Sequence, residues 1–277
     1  MSEVYLTRQF DFSASHRYWR EQWSPEQNRK VFGATVNDHG HNYLLEVTVA
    51  GTVDEATGMV MNMTDLKGIV SEVLEQFDHK NLNKDLPYFR EDIPTSENVA
   101  KVLWGLLRPH VKGARLVKLR LAEDEDMWVE YTGKGNPGTS LSRRYKFSAA
   151  HLLYSPALTP EQNRHLYGKC SNPQGHGHNY ELIVTVGGPV DPTTGMCMDL
   201  EELDRVVRQQ VISRYDHKNL NQDVEEFHSA VPTGENIVRA VWRRLSQALP
   251  AGCLKKLRLV ETKNNYFEYS EGGAEGS

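Results

Sequence analysis

Cysteine is scarce in this chain. Only Cys170, Cys197 and Cys253 occur in 277 residues, and no two of them form a CxxC pair. That excludes a disulfide framework and fits a reducing compartment. Long apolar runs are missing as well. The mean hydropathy is −0.58, and no stretch approaches the roughly 20 apolar residues of a membrane span. The opening MSEVYLTRQF is charged and amphipathic and lacks the apolar core of a secretory signal. These absences predict a cytoplasmic protein with no membrane partner. Nor is positive charge concentrated anywhere. The net charge is −5, with 21 acidic against 16 basic residues up to Gly138 and 16 of each afterwards. Without a basic stripe, nucleic acid is excluded as a partner. A polyphosphate ligand meets less repulsion in the second half. What remains is an ordinary soluble composition, 39% hydrophobic, long enough for two mid-sized domains.

Self-comparison shows what those domains are. FDFSASH pairs with YKFSAAH, SPEQNR with TPEQNR, HGHNY with HGHNY, VDEATGM with VDPTTGM, DHKNLN with DHKNLN, PTSEN with PTGEN and LVKLRLAE with LKKLRLVE. The offset grows from 135 at His16/His151 to 138 at Asp78/Asp216, and two of the three extra residues fall just ahead of HGH. This is a tandem duplication. The expected division is a first unit over 1–133, a Gly/Pro/Asn linker over 134–140 that carries no helix or strand, a second unit over 141–271 and a flexible tail over 272–277.

Within each unit, alternation over Val4–Ser13 or Leu141–Ala149 predicts a strand, followed by a long polar loop and an antiparallel partner strand beginning at HNY. Two helices follow. In the second unit the first has Asp199 as N-cap with Glu202 three residues on, and the other places Ile237, Val241, Trp242 and Leu245 on one face. Two short strands, joined by a tight turn at Thr262–Asn264, complete a β-β-α-α-β-β order. The expected class is α+β, two tandem units each with an antiparallel four-stranded sheet and two helices on one face.

The chemistry lies in the histidines. His176 and His178 are two apart at a strand start, so both imidazoles point to one side, and His151 ends the neighbouring strand. Three neutral imidazoles from two adjacent strands make a zinc site whose fourth position stays open, as in catalytic zinc. His16, His39 and His41 repeat the arrangement. A lone HxH reads better as a hydrogen-bonded polar turn; its recurrence with the third histidine favours metal. Cys170, six residues before His176, reads in two ways: as a fourth ligand closing an inert site, or as a thiol beside a cation serving as base or nucleophile. The first unit keeps its histidines without a cysteine, which favours the second reading. Cys197 and Cys253 read as small buried thiols. Asp216 beside His217 is either a carboxylate that fixes an imidazole tautomer or part of a helix end. PTGEN reads as a helix start capped by Thr233, and Glu261 as a carboxylate able to accept two N–H bonds from a guanidine-like ring edge.

FSAAH, CSNPQGHGHNY, VDPTTGMCMDL, YDHKNLN, PTGEN and LRLVET, in this order, closely resemble the 6-pyruvoyltetrahydropterin synthase family of the tunnelling-fold superfamily, over Leu141 to Tyr269. The first half resembles the same family from Tyr5 to Tyr131 but lacks the cysteine. The resemblance implies a lyase that converts 7,8-dihydroneopterin triphosphate to 6-pyruvoyltetrahydropterin with elimination of triphosphate. It implies zinc on His151, His176 and His178 and a second zinc on His16, His39 and His41. Cys170 would take side-chain protons with Asp216 and His217 as relay partners, and Glu261, with Thr233 and Glu235, would bind the pterin. It further implies sites between units in a homo-oligomer of six, so that three fused chains suffice. A place for Mg²⁺ on the triphosphate stays open.

Two alternatives stand beside this. The related 6-carboxytetrahydropterin synthase of deazapurine biosynthesis, which expels acetaldehyde, typically has its cysteine four residues before HGH. The spacing here is six. In the first unit that short-spacing position is Thr35, a hydroxyl and a poor base, with Asp38 near His39 as a substitute acid/base. The other alternative, a zinc- and pterin-binding role without turnover, suits the first unit, whose Glu123 is then a pterin ligand. In the main reading the first unit lends Asp78 and His79 to a neighbouring Cys170 site.

Overall fold

A computed structural model describes residues 2–133 and 138–270. The expected tail, and 134–137 of the expected linker, lie outside the described residues. Compact packing divides the chain into one unit of Met1–Ser142 with Gly187–Glu201 and another of Arg143–Val186 with Glu202–Ser277.

In the first unit β1 (Val4–His16) and β2 (His39–Gly51) pair antiparallel along their whole length, from Val4 opposite Gly51 to His16 opposite His39. Next to β2 lies β4 (Arg115–Ala122) and beyond it β5 (Met127–Tyr131), both antiparallel. On the far side of β1 the two-residue β3 (Lys80–Asn81) adds a parallel edge. The second unit repeats this as β10-β9-β7-β6-β8, built from β6 (Thr139–His151), β7 (His176–Gly187), β8 (Lys218–Asn219), β9 (Leu254–Thr262) and β10 (Asn265–Tyr269). The α+β expectation holds, with a fifth short strand in each sheet that the four-strand reading lacked.

Both cores follow from alternation in strands and 3.6-residue periodicity in helices. Leu45, Val47 and Val49 of β2 are buried together with Leu66 and Val70 of the Met63–Leu74 helix and Leu103 and Leu107 of the Ser96–Leu107 helix, all without solvent exposure. In the second unit Leu182 and Val184 are buried with Leu203 and Val207 and with Ile237, Val241 and Leu245 of the Gly234–Ala248 helix. The side chain of Thr233 caps that helix as expected. Asp199 accepts the Glu201 N–H, and the helix from Leu200 passes through one π-helical turn, Arg208–Ile212, before ending at Tyr215.

Three local expectations are corrected. The strand expected from Leu141 begins at Thr139, so Thr139 and Ser140 are not linker; the inward alternation of buried Thr139 and Leu141 extends the strand backwards. The polar loop holds a helix in each unit, Pro25–Phe32 and Pro160–Tyr167. Ser24 and Thr159 cap these with proline in the first turn, and Gln162 closes a capping box on Thr159. Cys197 and Cys253 are half-buried rather than enclosed.

Candidate metal and active site

Alternation along β1 turns Phe12, Ala14 and His16 inward together, and along β6 it does the same for Phe147, Ala149 and His151. The buried Phe12–Tyr43 and Phe147–Tyr180 ring stacks, with centroids 4.9 and 5.0 Å apart, support the layer beneath the histidines. On β2, His39, His41 and Tyr43 share that face. Gly40 between the histidines lets the strands close, since a Cβ there would lie 3.0 Å from the Ala14 carbonyl oxygen. Each set of three imidazoles converges: within His16, His39, His41 and within His151, His176, His178, one nitrogen from each lies within 4.8 Å of the others.

The chemistry of these nitrogens fits a metal. A carbonyl only accepts, so His16 Nδ1–H donates to Pro94 O at 2.8 Å and His151 Nδ1–H to Pro232 O at 2.9 Å, which leaves each Nε2 with its lone pair. His151 Nε2 faces His176 Nε2 at 3.1 Å, close to the roughly 3.3 Å between nitrogens around a tetrahedral zinc. His41 Nε2 is buried with no hydrogen-bond partner among the described residues. Burial pulls the pKa of His16 down to about 3 and lowers those of His151 and His176, so the imidazoles are held neutral, the form that ligates. The two carbonyls come from the repeated PT(S/G)EN loop, a role that the sequence reading missed although the loop's recurrence pointed to it.

Cys170 is half-buried and lies outside the converging set. It occupies the one-turn 3₁₀ helix Gly168–Ser171, where its carbonyl accepts the Leu153 N–H at 2.9 Å. Gly33–Val36 repeats that turn, with Gly33 and Gly168 both at φ 54°, and there the carbonyl of Thr35 accepts the Tyr18 N–H at 2.8 Å. Thr35 therefore stands in the backbone position of Cys170, and the two extra residues of the second unit fall after the cysteine. The Thr35 hydroxyl donates to Phe32 O at 2.6 Å. Asp38, the other candidate there, is paired with Lys84 at 3.1 Å, whose ammonium holds its carboxyl below the usual range.

Asp216 Oδ1 accepts the Ser148 N–H at 2.8 Å, and Oδ2 holds His217 Nδ1 at 2.9 Å. The Ser148 N–H first, and His217 second, lower its pKa. His217 sits at φ 55° with its side chain 82% exposed, and it lines an open groove with Gly177, His178 and Asn179. Asp78 and His79 duplicate the pair on Ser13. The carboxylate thus fixes the Nδ1–H tautomer and frees Nε2 for proton transfer, while the left-handed backbone projects the ring outward.

The carboxylates differ between units. Glu261 Oε2 accepts from Asn265 Nδ2 at 2.7 Å, and its Oε1 lies 3.9 Å from both His151 Nε2 and His178 Nε2, with the Tyr180 hydroxyl at 3.5 Å. Glu123 Oε1 accepts from Ser96 Oγ at 2.5 Å and from the Tyr18 hydroxyl at 3.4 Å, and its Oε2 lies 3.5 Å from His41 Nε2. Burial pushes the Glu123 carboxyl up. Thr233 is half-buried and Glu235 exposed, whereas Thr95 and Glu97 are buried. The contributions of Tyr18, Ser96 and Asn265 were not found from the sequence.

Two α+β units, each carrying three converging histidines that could hold a metal ion, a carboxylate near them and an Asp–His pair, define a duplicated fold of one design. The chain belongs to the 6-pyruvoyl tetrahydropterin synthase family, whose model matches residues 5–134 and again 140–272. It is 49% identical over 129 residues to 6-pyruvoyl tetrahydrobiopterin synthase of Pongo abelii and 47% identical over 129 residues to that of Homo sapiens, in each case covering 47% of this chain and 89% of the relative. The solved structure of Caenorhabditis elegans 6-pyruvoyl tetrahydropterin synthase aligns at 39% identity and a TM-score of 0.47, covering 48% of this chain and 95% of that one.

Proposed function

We propose that this protein is a zinc-dependent lyase that converts 7,8-dihydroneopterin triphosphate to 6-pyruvoyltetrahydropterin with elimination of triphosphate, and that the second of its two repeats, over 141–271, carries the chemistry. The observation that carries this reading is the asymmetry at one backbone position: Cys170 occupies the turn whose carbonyl accepts the Leu153 N–H, two residues past His151, and Thr35, with its hydroxyl committed to Phe32 O, occupies the matching turn on Tyr18, two residues past His16. His151, His176 and His178 would hold zinc, which when bound polarises the substrate's side-chain hydroxyls. Cys170 removes side-chain carbon protons as a thiolate. Glu261, oriented by Asn265, receives the N–H edge of the pterin, with Thr233 and Glu235 beside it. His217, held by Asp216, carries protons to and from the site.

His16, His39 and His41 would hold a second zinc. Asp78 and His79 keep the geometry of the relay pair, and in a homo-oligomer of six units they serve a Cys170 site of a neighbouring unit. Replacing His79 by Ala then cripples turnover although the second repeat is untouched; undiminished activity would remove that role. No described helix is long and apolar enough to cross a membrane, and the cysteine usage supports a cytoplasmic setting.

The test is incubation of zinc-loaded protein with 7,8-dihydroneopterin triphosphate, with triphosphate and pterin followed by mass. The pyruvoyl product supports the proposal. Acetaldehyde points to the carboxy-forming reaction, and no turnover with both metals bound leaves a binding role.

A further inference from the structure

Gly187–Glu201 belongs by sequence to the second repeat but packs as part of the first unit. We infer that the matching loop of the first repeat, Asp54–Val60, docks in the same way on the Thr233–Glu235 lip of another copy of this chain, so that copies join head to tail.

The seated loop shows what the contact requires. In the first unit the Thr95 hydroxyl donates to Gly195 O at 2.7 Å, and Glu97 Oε1 accepts the Cys197 N–H at 3.0 Å. The approach is close, since a Cβ on Gly195 would lie 2.6 Å from Asn98 Nδ2. Met196 enters an apolar nest of Tyr18, Phe32, Val36 and Ile93, and Thr95 and Glu97 are buried.

Both halves of this contact recur. In the first-repeat loop the Asp54 N–H donates to Met59 O at 3.0 Å and the Gly58 N–H to Asp54 O at 2.8 Å; Asp191, Met196 and Gly195 repeat both bonds at the same lengths. Gly58 stands at φ 69° and Gly195 at φ 75°. The receiving loops match as well. Thr233 N–H and Asn236 Nδ2 donate to Val231 O at 2.8 and 2.9 Å, as Thr95 N–H and Asn98 Nδ2 do to Ile93 O. Yet a Cβ on Gly58 would meet nothing within 4 Å, and Met59 is 43% exposed against 8% for Met196. Glu235 is exposed where Glu97 is buried, and Leu153, Tyr167 and Val231, which replace Tyr18, Phe32 and Ile93 of the nest, are only half-buried. Arg20, which donates to the Pro192 and Thr193 carbonyls, is replaced by Ser155, so two hydrogen bonds and the methionine carry the second contact. Loop and lip are already in the docked shape, which keeps the ordering cost of association low. Each chain offers one such loop and one such lip on different surfaces, a heterologous pair that is saturated only when the copies close a ring. The Val60 N–H of one copy then meets Glu235 of the next, and the Thr233 hydroxyl meets Gly58 O. This names the surface on which the homo-oligomer proposed above forms, whichever reaction its sites perform.

Amide hydrogen exchange resolved at Val60 and Cys197, with the assembly mass measured by sedimentation, tests the contact on the full chain. The unaltered chain is expected to sediment as several copies with both amides slow. Met59→Asp should release Val60 and lower the mass while Cys197 stays slow, which also reports that the variant is folded. If Met59→Asp does not fold, Glu235→Ala removes only the acceptor, at an exposed position, and should release Val60 alone. A single-chain mass for the unaltered protein would overturn both the homo-oligomer and this surface. An oligomer in which Val60 exchanges at the same rate in the unaltered chain and in the variants would keep the assembly and overturn the surface.

Discussion

At the scale of the residue, the paired repeats act as an internal control. Thr35 and Cys170 share a backbone turn and differ in a hydroxyl against a thiol, and only a thiol reaches a useful fraction of anion near neutral pH. The buried histidines give a pH dependence whose sign follows from their shift. The His16 pKa falls from 6.5 to about 3 on folding because burial disfavours the cation, so the unfolded chain takes up the proton first. In metal-free protein this stabilisation is complete above about pH 6.5 and is lost as the pH falls from there toward 3. The Tm of metal-free protein is therefore expected to drop between pH 7 and pH 5, and a flat profile would contradict the assignment. Asp216 acts over a lower window. Its depressed pKa stabilises the fold above the ordinary value of 3.8, an effect lost on further acidification.

At the scale of the element, the strand pair and the loop that starts the second helix do most of the positioning. Strand alternation turns three histidines inward, and the PT(S/G)EN loop supplies the carbonyl that fixes the tautomer of the first. Gly234→Ser brings the first unit's residue into the second, against the Phe267 ring. Urea unfolding should show a loss of about 1–3 kcal/mol, whereas Ser96→Gly, which removes one hydrogen-bond donor, should lose about 1 kcal/mol. Thr35→Cys, made together with Cys170→Ala, tests whether a thiol alone suffices. It is expected to restore no turnover, because the buried Tyr18 packs beside Glu123 where the second unit has Leu153, and measurable product would contradict that. The histidine triads were legible in the sequence because a period of two in a strand fixes which side chains share a face. The helices Pro25–Phe32 and Pro160–Tyr167 were not, because a polar eight-residue segment has no apolar stripe. Their signal was the cap alone, Ser24 or Thr159 followed by proline. The correspondence of Thr35 to the cysteine was legible as a hydroxyl at the short-spacing position, and the matching turns, both opening on a glycine at φ 54°, set it in register with Cys170.

At the scale of the whole molecule, duplication made the class of fold and the cradles readable, since each motif was confirmed by its copy. What the copies could not reveal was where they had diverged in three dimensions. Ser96 and Asn265 lie far in sequence from the histidines, and although Tyr18 follows His16 by two residues, the bearing of all three on the two carboxylates follows only from packing. The duplicated chain thus keeps two three-histidine clusters of one design while carrying a thiol at the matching turn only in the second. The most direct test of this division is single-turnover incubation of the zinc-loaded chain and its Cys170→Ala variant with 7,8-dihydroneopterin triphosphate, both verified to carry two zinc ions. The account predicts triphosphate and 6-pyruvoyltetrahydropterin from the unaltered chain and a rate lower by roughly 10²–10⁴-fold from the variant. Turnover by the variant at a comparable rate would contradict it.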